Sequence, residues 1–446
     1  MSITHIINMK TIKTIIFFIV SIYIVVNMNK HFFDIYEHIL TNTKEILTNY
    51  TQTIYLYVPL VFWFASKAKE FKYTDGYFEL YIKKMLESVT DHKNYYSKTH
   101  FFHGALSNIA IYIFSLLAVA SGAGLGDEGV IIYSSVCLML YFYFKIKDVF
   151  GLHNIYTELL IYIGYAIGFT VIFGSAITTF FYILENMLSY KDANFFSNFG
   201  VMLCAIPFIN YLVNEEENPI KIDEITFGFE NIGYVILFSV VLGIVSFIIL
   251  KNVHFLFTFI KNSKFNNLYV IGFGFLLAFM IKKIGFSSMS FGLSEINEGF
   301  QATMNKQKMK KLEENKQYEE LDELKKLEKE GKFDTQDRFS IYGLFGRIIS
   351  VIISIASGLT GGLVIPALTI GCGLGSVVSK YTNTKIDQYE LMFLGMVGLV
   401  SSFLNAPITS AILLNKICNQ PYRSIPSSLG VSFISYFTCR FLQSRF

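Results

Sequence analysis

Apolar runs close to bilayer length recur along this chain, separated by short polar breaks. They cover 11–27, 52–67, 104–122, 130–146, 157–187, 199–213, 232–260, 268–286, 341–358, 362–379, 388–404, 408–418 and 424–443. A full crossing takes about 20 apolar residues, and several of these runs are shorter or carry Gly, Pro or Asn inside them. Uneven segments of this kind predict helices that end within the membrane, which is tolerable only where their ends are buried in protein or line a cavity. The polar stretches are 28–51, 67–103, a short acidic loop at 214–224 holding Glu215, Glu216 and Glu217, and a charged segment at 302–339.

Composition sharpens this pattern. Of 446 residues, 53% are hydrophobic and 16% charged, whereas a soluble chain carries about 25% charged residues. The segment 302–339 alone holds ten Lys/Arg and ten Asp/Glu, against 37 and 34 in the whole chain. What remains cannot clothe a water-soluble surface, so the chain reads as an integral, multi-pass membrane protein in contact with a lipid bilayer. The run 11–26 lacks a small-residue cleavage site and reads as a retained first helix. A bacterial inner membrane is the default location.

Charge and motif content exclude several function classes. A net charge of +3 is too small and too scattered for a nucleic-acid binder. Cys137, Cys204, Cys372, Cys418 and Cys439 stand singly in apolar runs, without metal-ligand or disulfide spacing. There is no Walker A loop and no HExxH motif. His100 and His103 form an HxxH without a nucleophile or third ligand. No cofactor or metal is expected, and no enzyme. Within 302–339, EELDELKKLEKE spaces leucines at 321, 324 and 327 and sets opposite charges three or four apart. It predicts a solvated helix or hairpin, read as a surface spacer with partner docking as the other reading.

The two halves of the chain match in order. Ala120-Ser121-Gly122 followed by Gly126 corresponds to Ala356-Ser357-Gly358 followed by Gly362, an offset of 236. Residues 162–187 match 393–418 without a gap, aligning Gly164 with Gly395 and Ala176-Ile177-Thr178 with Pro407-Ile408-Thr409. Upstream, Thr74-Asp75-Gly76-Tyr77 resembles Ser290-Phe291-Gly292-Leu293. This predicts an N-terminal helix and polar stretch over 1–51, a first repeat over 52–220, and a second over 225–446 that contains the charged insertion 302–339. Duplicated transporter halves set their substrate site between the repeats, at the N-termini of broken helices. Such termini offer unpaired N–H groups and a partial positive charge. Gly-rich turns at 122–129 and 358–366 allow close backbone approach to an anion. A small anion is therefore the expected substrate.

Residues 356–375, ASGLTGGLVIPALTIGCGLG, closely resemble a signature of the CLC family of chloride channels and proton/chloride antiporters. SGAGLGDEGV (121–130) resembles the family's GxEGP stretch, and LNAPITSAILL (404–414) its RAPLT-type stretch. The resemblance runs from about Tyr73 to the end of the chain. It implies an all-α integral membrane fold, an inverted repeat of tilted and broken transmembrane helices, with one pore per subunit in a homodimer. It implies that Glu128 is the gating glutamate and that the Leu363 and Val364 amides hold the central anion. Asp75 falls where a serine usually donates to that anion, and Gly126, Gly129 and Gly362 complete the anion-binding set. By the same analogy, 162–187 and 404–443 supply the dimer interface.

This sequence departs from the family at several points. Asp127 stands where a basic residue is common, and Val130 replaces the proline of GxEGP. Asp75 is an acceptor where a donor is expected, and an ionised carboxylate there would repel an anion. YILENM (182–187) resembles a family segment with two glutamates, the second of which takes up protons from inside. Here the proton-path candidates are Glu185 and the non-titrating Asn186. Phe446 falls where the last family helix would begin, so the tyrosine hydroxyl it gives the anion has no clear counterpart. The expected function is chloride transport through a channel or weakly proton-coupled exchanger gated by Glu128. The alternatives are a membrane scaffold with a non-conducting pore and a fluoride-transporting variant; the chloride-like GGLVIP stretch weighs against fluoride.

Overall fold

The computed structural model describes residues 9–49, 53–67, 104–152, 155–189, 194–213, 220, 222–225, 231–285, 292–329, 339–382 and 386–446. Among them the regular structure is helical. In the first half it comprises α1 (Met9–Asn49), α2 (Ile54–Ser66), α3 (Gly104–Ala120), α4 (Glu128–Phe150), α5 (Thr157–Phe173), α6 (Ala176–Ser189) and α7 (Phe195–Val213). In the second half it comprises α8 (Ile232–Asn262), α9 (Asn266–Ile284), α10 (Gly292–Glu314), α11 (Tyr318–Lys329), α12 (Ile341–Ala356), α13 (Val364–Tyr381), α14 (Gln388–Leu404), α15 (Pro407–Ile417) and α16 (Ile425–Arg445).

Helix lengths follow the uneven apolar runs. Six helices among the described residues are long and apolar enough to cross a membrane. By contrast α5 and α14 have 17 residues each and α15 has 11. At 1.5 Å per residue α15 spans only about 16 Å, half of a hydrocarbon core. At the other extreme α1 runs for 41 residues, about 60 Å. The polar stretch from 28 onward does not end it; the helix continues through those residues to Asn49. The long apolar run 157–187 is split at Gly174, whose φ of 58° closes α5 in the left-handed region. The charged segment 302–339 supplies the end of α10 and all of α11. These two close on each other over Leu312, Leu321 and Leu324, a small core separate from the main one.

The duplication extends to the backbone geometry of the turns. Gly122 has φ 77° and Gly358 φ 82°, and both stop a helix in the same way. The Ser121, Gly122 and Ala123 amides donate to the Leu117, Val119 and Ala118 carbonyls; the Ser357, Gly358 and Leu359 amides donate to Ile353, Ile355 and Ser354, each shifted by 236. The next helices begin at Glu128 and Val364, at the same offset. In the downstream block Gly174 (φ 58°) answers to Asn405 (φ 55°), and α6 and α15 start two residues later in each half.

Small residues let the short helices cross closely. A Cβ on Gly164 or Gly168 would meet the α4 backbone at Val136 and Ile132, and one on Gly371 would meet the carbonyl of Gly395. The α4–α5 and α13–α14 pairs thus pack through equivalent glycines. Hydroxyls knit α14 to α16: Ser402 and Ser435 share a hydrogen bond at 2.9 Å, and Ser401 donates to the Ser432 carbonyl at 2.8 Å. The N-terminal helix is integral to the fold. Asn29 of α1 donates to Ser135 of α4 and accepts from Tyr112 of α3, and Lys30 donates to the Leu212 and Val213 carbonyls that end α7.

Candidate functional site

The two Gly-rich turns meet. Gly126 and Gly362 exchange both backbone hydrogen bonds, with the Gly362 amide donating at 2.7 Å and the Gly126 amide at 3.2 Å, as an isolated antiparallel bridge. The N-termini of α4 and α13 are thereby held side by side. Each terminus has amides that no preceding turn of helix can serve, and both bring the positive end of a helix dipole.

Glu128, the first residue of α4, turns its carboxylate across this junction. It is 1% exposed, and its Oε1 accepts from the Ile365 amide in the first turn of α13. The seat exists because its walls lack side chains. A Cβ built on Gly126 or on Gly362 would fall on the Glu128 carboxylate, and one on Gly362 would also come within 2.6 Å of the Gly129 amide. Gly126, Glu128, Gly129 and Gly362 are therefore gathered at one point. Leu363 and Val364 lie at the N-cap and first position of α13, buried beside it. A carboxylate held by helix N-terminal amides marks where a small anion could be held, because the same donors and dipoles serve either.

Sequence reasoning did not single out Ile365 as the donor to Glu128, nor Tyr36. Tyr36 lies on α1, buried, and its hydroxyl donates to the Leu125 carbonyl at 3.3 Å, tying α1 to the turn that precedes Glu128. Asp127 is 2% exposed and makes no side-chain capping bond at the N-cap of α4; its Oδ2 has no hydrogen-bond partner among the described residues. Asp75, expected as an anion ligand, lies outside the described residues.

The two proton-path candidates sit elsewhere. Glu185 on α6 accepts from the Ile408 and Thr409 amides, both at 2.9 Å, and from the Thr409 hydroxyl. It caps the N-terminus of α15. Asn186 donates back to the Tyr182 carbonyl at 2.7 Å in its own helix. Among the described residues no cluster of His, Cys, Asp or Glu could hold a metal ion.

Comparison with known proteins gives this junction its context. The family described as "Voltage gated chloride channel" matches residues 81–440. An uncharacterized protein of Methanocaldococcus jannaschii is 29% identical over 92 residues, a match spanning 21% of this chain and 22% of that protein. Three solved structures share the fold. A slow cyanobacterial Cl⁻/H⁺ antiporter superposes with a TM-score of 0.71 at 16% identity, covering 96% of this chain and 95% of its own. A CLC-type fluoride/proton antiporter gives 0.65 at 16% identity with the same coverage. A eukaryotic CLC transporter gives 0.68 at 12% identity, covering 96% of this chain and 72% of its own.

Proposed function

The chain belongs to the voltage-gated chloride channel family, and on that premise we propose that it carries chloride across a membrane through a pore gated by Glu128. The observation that supports this reading is the seating of the Glu128 carboxylate on the Ile365 amide, at the paired N-termini of α4 and α13. An ionised carboxylate there competes with an anion for the same donors. Protonation removes its charge and weakens the charge-assisted bond, so the side chain swings away and the anion takes its place. One group thus plugs the pore and carries a proton. The Gly126, Gly129, Gly362, Leu363 and Val364 backbones line the anion's seat, and the family resemblance adds Asp75 as a further anion ligand. Protons, where coupled, reach the site without a glutamate at position 186. The protein works as a homodimer with one pore per subunit.

A non-conducting scaffold is the second reading, favoured by Asp127, a buried carboxylate beside the gate. Chloride efflux from liposomes reconstituted with wild type and Glu128→Ala, run together, separates the two. Flux altered by the substitution supports the gated pore. Absence of flux above empty liposomes from both, with folded and inserted protein, overturns it. A fluoride electrode in the same assay decides between the halides, and a pH gradient tests proton coupling.

A further inference from the structure

A buried hydroxyl in a helix has a default partner in the carbonyl one turn back. Ser135, Ser239, Ser246, Ser410 and Ser428 take it, at 2.7–3.1 Å. Ser350 and Ser354 on α12 do not. Together with Ser357 at the helix C-cap and Thr360 in the following turn, they are at most 2% exposed, and their four hydroxyl oxygens have no hydrogen-bond partner among the described residues. Positions 350, 354 and 357 share one helix face, and Arg347 precedes them on it.

This face has definite ends. At one, Arg347 pairs with Glu295 of α10 at 2.5 Å and borders a cavity of about 10 Å³ that Ser340 and Thr369 also line, room for about one water. At the other, Thr360 lies two residues from Gly362, where the Glu128 carboxylate is seated. Between them the first repeat's turn closes over the face: a Cβ on Gly124 would lie 2.8 Å from the Ser350 hydroxyl. The charged and titratable groups near it include Glu295, Arg347, Lys44, Glu298 and Cys372 at one end and Asp127, Glu128, Tyr36 and Glu37 at the other.

We propose that Ser350, Ser354, Ser357 and Thr360 line a file of ordered water that carries protons between the Glu295–Arg347 end and Glu128. A buried water satisfies groups that lack a protein partner, and a hydroxyl both donates and accepts, so each site passes a proton by exchanging donor and acceptor roles. The route bypasses position 186, where Asn cannot titrate, and Glu185, committed to α15. The inference rests on the reading of the chain as an anion pathway gated by Glu128.

The test reconstitutes wild type and the triple variant Ser350→Ala/Ser354→Ala/Ser357→Ala, recording anion efflux and proton flux separately in the same vesicles. Anion efflux stays close to wild type while proton flux falls about tenfold or more, as expected when positioned proton-transfer groups are removed. The corresponding triple threonine variant, which keeps the hydroxyls, restores it. Unchanged proton flux in the alanine variant overturns the proposal, as does a wild type that moves anions without protons. A loss of both fluxes that threonine does not restore overturns it too. Should the wild type move no anion, the gated-pore reading fails by itself, and the water file is judged by radiolytic hydroxyl labelling of Ser354→Cys in purified protein. Labelling of that thiol well above the buried native Cys372 supports the file; labelling no faster than Cys372 overturns it.

Discussion

Gly126→Ala tests the gate without touching the carboxylate. The three nearest neighbours of a Cβ at this position are the Oε1, Oε2 and Cδ atoms of Glu128. They are the far end of a flexible side chain, so the methyl displaces the carboxylate and leaves the helices in place. Gly362→Ala is a poorer probe, because its Cβ also meets the Gly129 amide. Displacement breaks the bond from the Ile365 amide. A charge-assisted hydrogen bond of this kind contributes about 1.5–3 kcal/mol, and each ~1.4 kcal/mol changes an equilibrium tenfold. The ratio of open to plugged sites therefore rises about ten- to hundredfold. In reconstituted liposomes the variant passes chloride faster than wild type and approaches Glu128→Ala. Its flux also depends less on pH. On the proposed gating, protonation of Glu128 frees the seat, so wild-type flux is expected to rise as pH falls; once the methyl holds the carboxylate out, that response flattens. Gly200→Ala, whose Cβ meets nothing within 4 Å, serves as the control. Wild-type flux and pH response in Gly126→Ala, alongside raised flux in Glu128→Ala, would refute the seat.

Three further outcomes concern the scaffold. Glu185→Ala removes three donors' acceptor at the start of α15 and costs about 1–2 kcal/mol, the range of a lost helix cap; a thermal melt falls while anion flux per folded protein is retained. Gly371→Ala drives a Cβ into the Gly395 backbone, an overpacking cost of about 1–3 kcal/mol or more, and lowers the monodisperse yield; Gly373→Ala, which meets only the Leu344 and Phe339 side chains, is milder. Glu295→Ala leaves the buried Arg347 charge without its 2.5 Å partner and costs about 3–5 kcal/mol, read as a lower melting temperature. Glu295→Leu with Arg347→Met recovers part of that loss.

The duplicated turns were legible because their chemistry is local. A helix that stops in the left-handed region wants Gly, so Gly122 and Gly358 appear in the sequence as a spaced pair and in the structure at φ 77° and 82°. The same reasoning reaches Gly174 but not its counterpart, since the second repeat uses Asn405 there at φ 55°; Asn is the other residue that tolerates this conformation. The short apolar runs announced broken helices, and α5, α14 and α15 are short. The polar stretch from 28 onward misled in the opposite direction. Read as a break after the first apolar run, it continues α1, with Asn29 inside a buried network of Ser134, Ser135 and Tyr112. A buried polar residue with partners on distant segments carries no local mark of its burial.

The same limit explains which parts of the gate escaped notice. A motif identifies a residue by its neighbours along the chain, whereas the Glu128 seat is assembled from residues 237 apart in sequence. Glu128 could be read from GDEG, but its partner could not, because any residue but proline at 365 presents the same amide. Tyr36 contributes a hydroxyl to the Leu125 carbonyl from a helix that carries no signature. The α12 hydroxyls are harder still: Ser350, Ser354 and Ser357 look like the buried serines of α14 and α16 (Ser401, Ser402, Ser428, Ser432 and Ser435), each of which has a hydrogen-bond partner. What distinguishes them is the lack of a hydrogen-bond partner among the described residues at a buried site. Backbone donors and hydroxyl-lined seams belong to the fold before they belong to any residue type. In this chain the carboxylate is therefore the legible half of the site, and the groups that hold it are visible only after the two repeats have been brought together at Gly126 and Gly362.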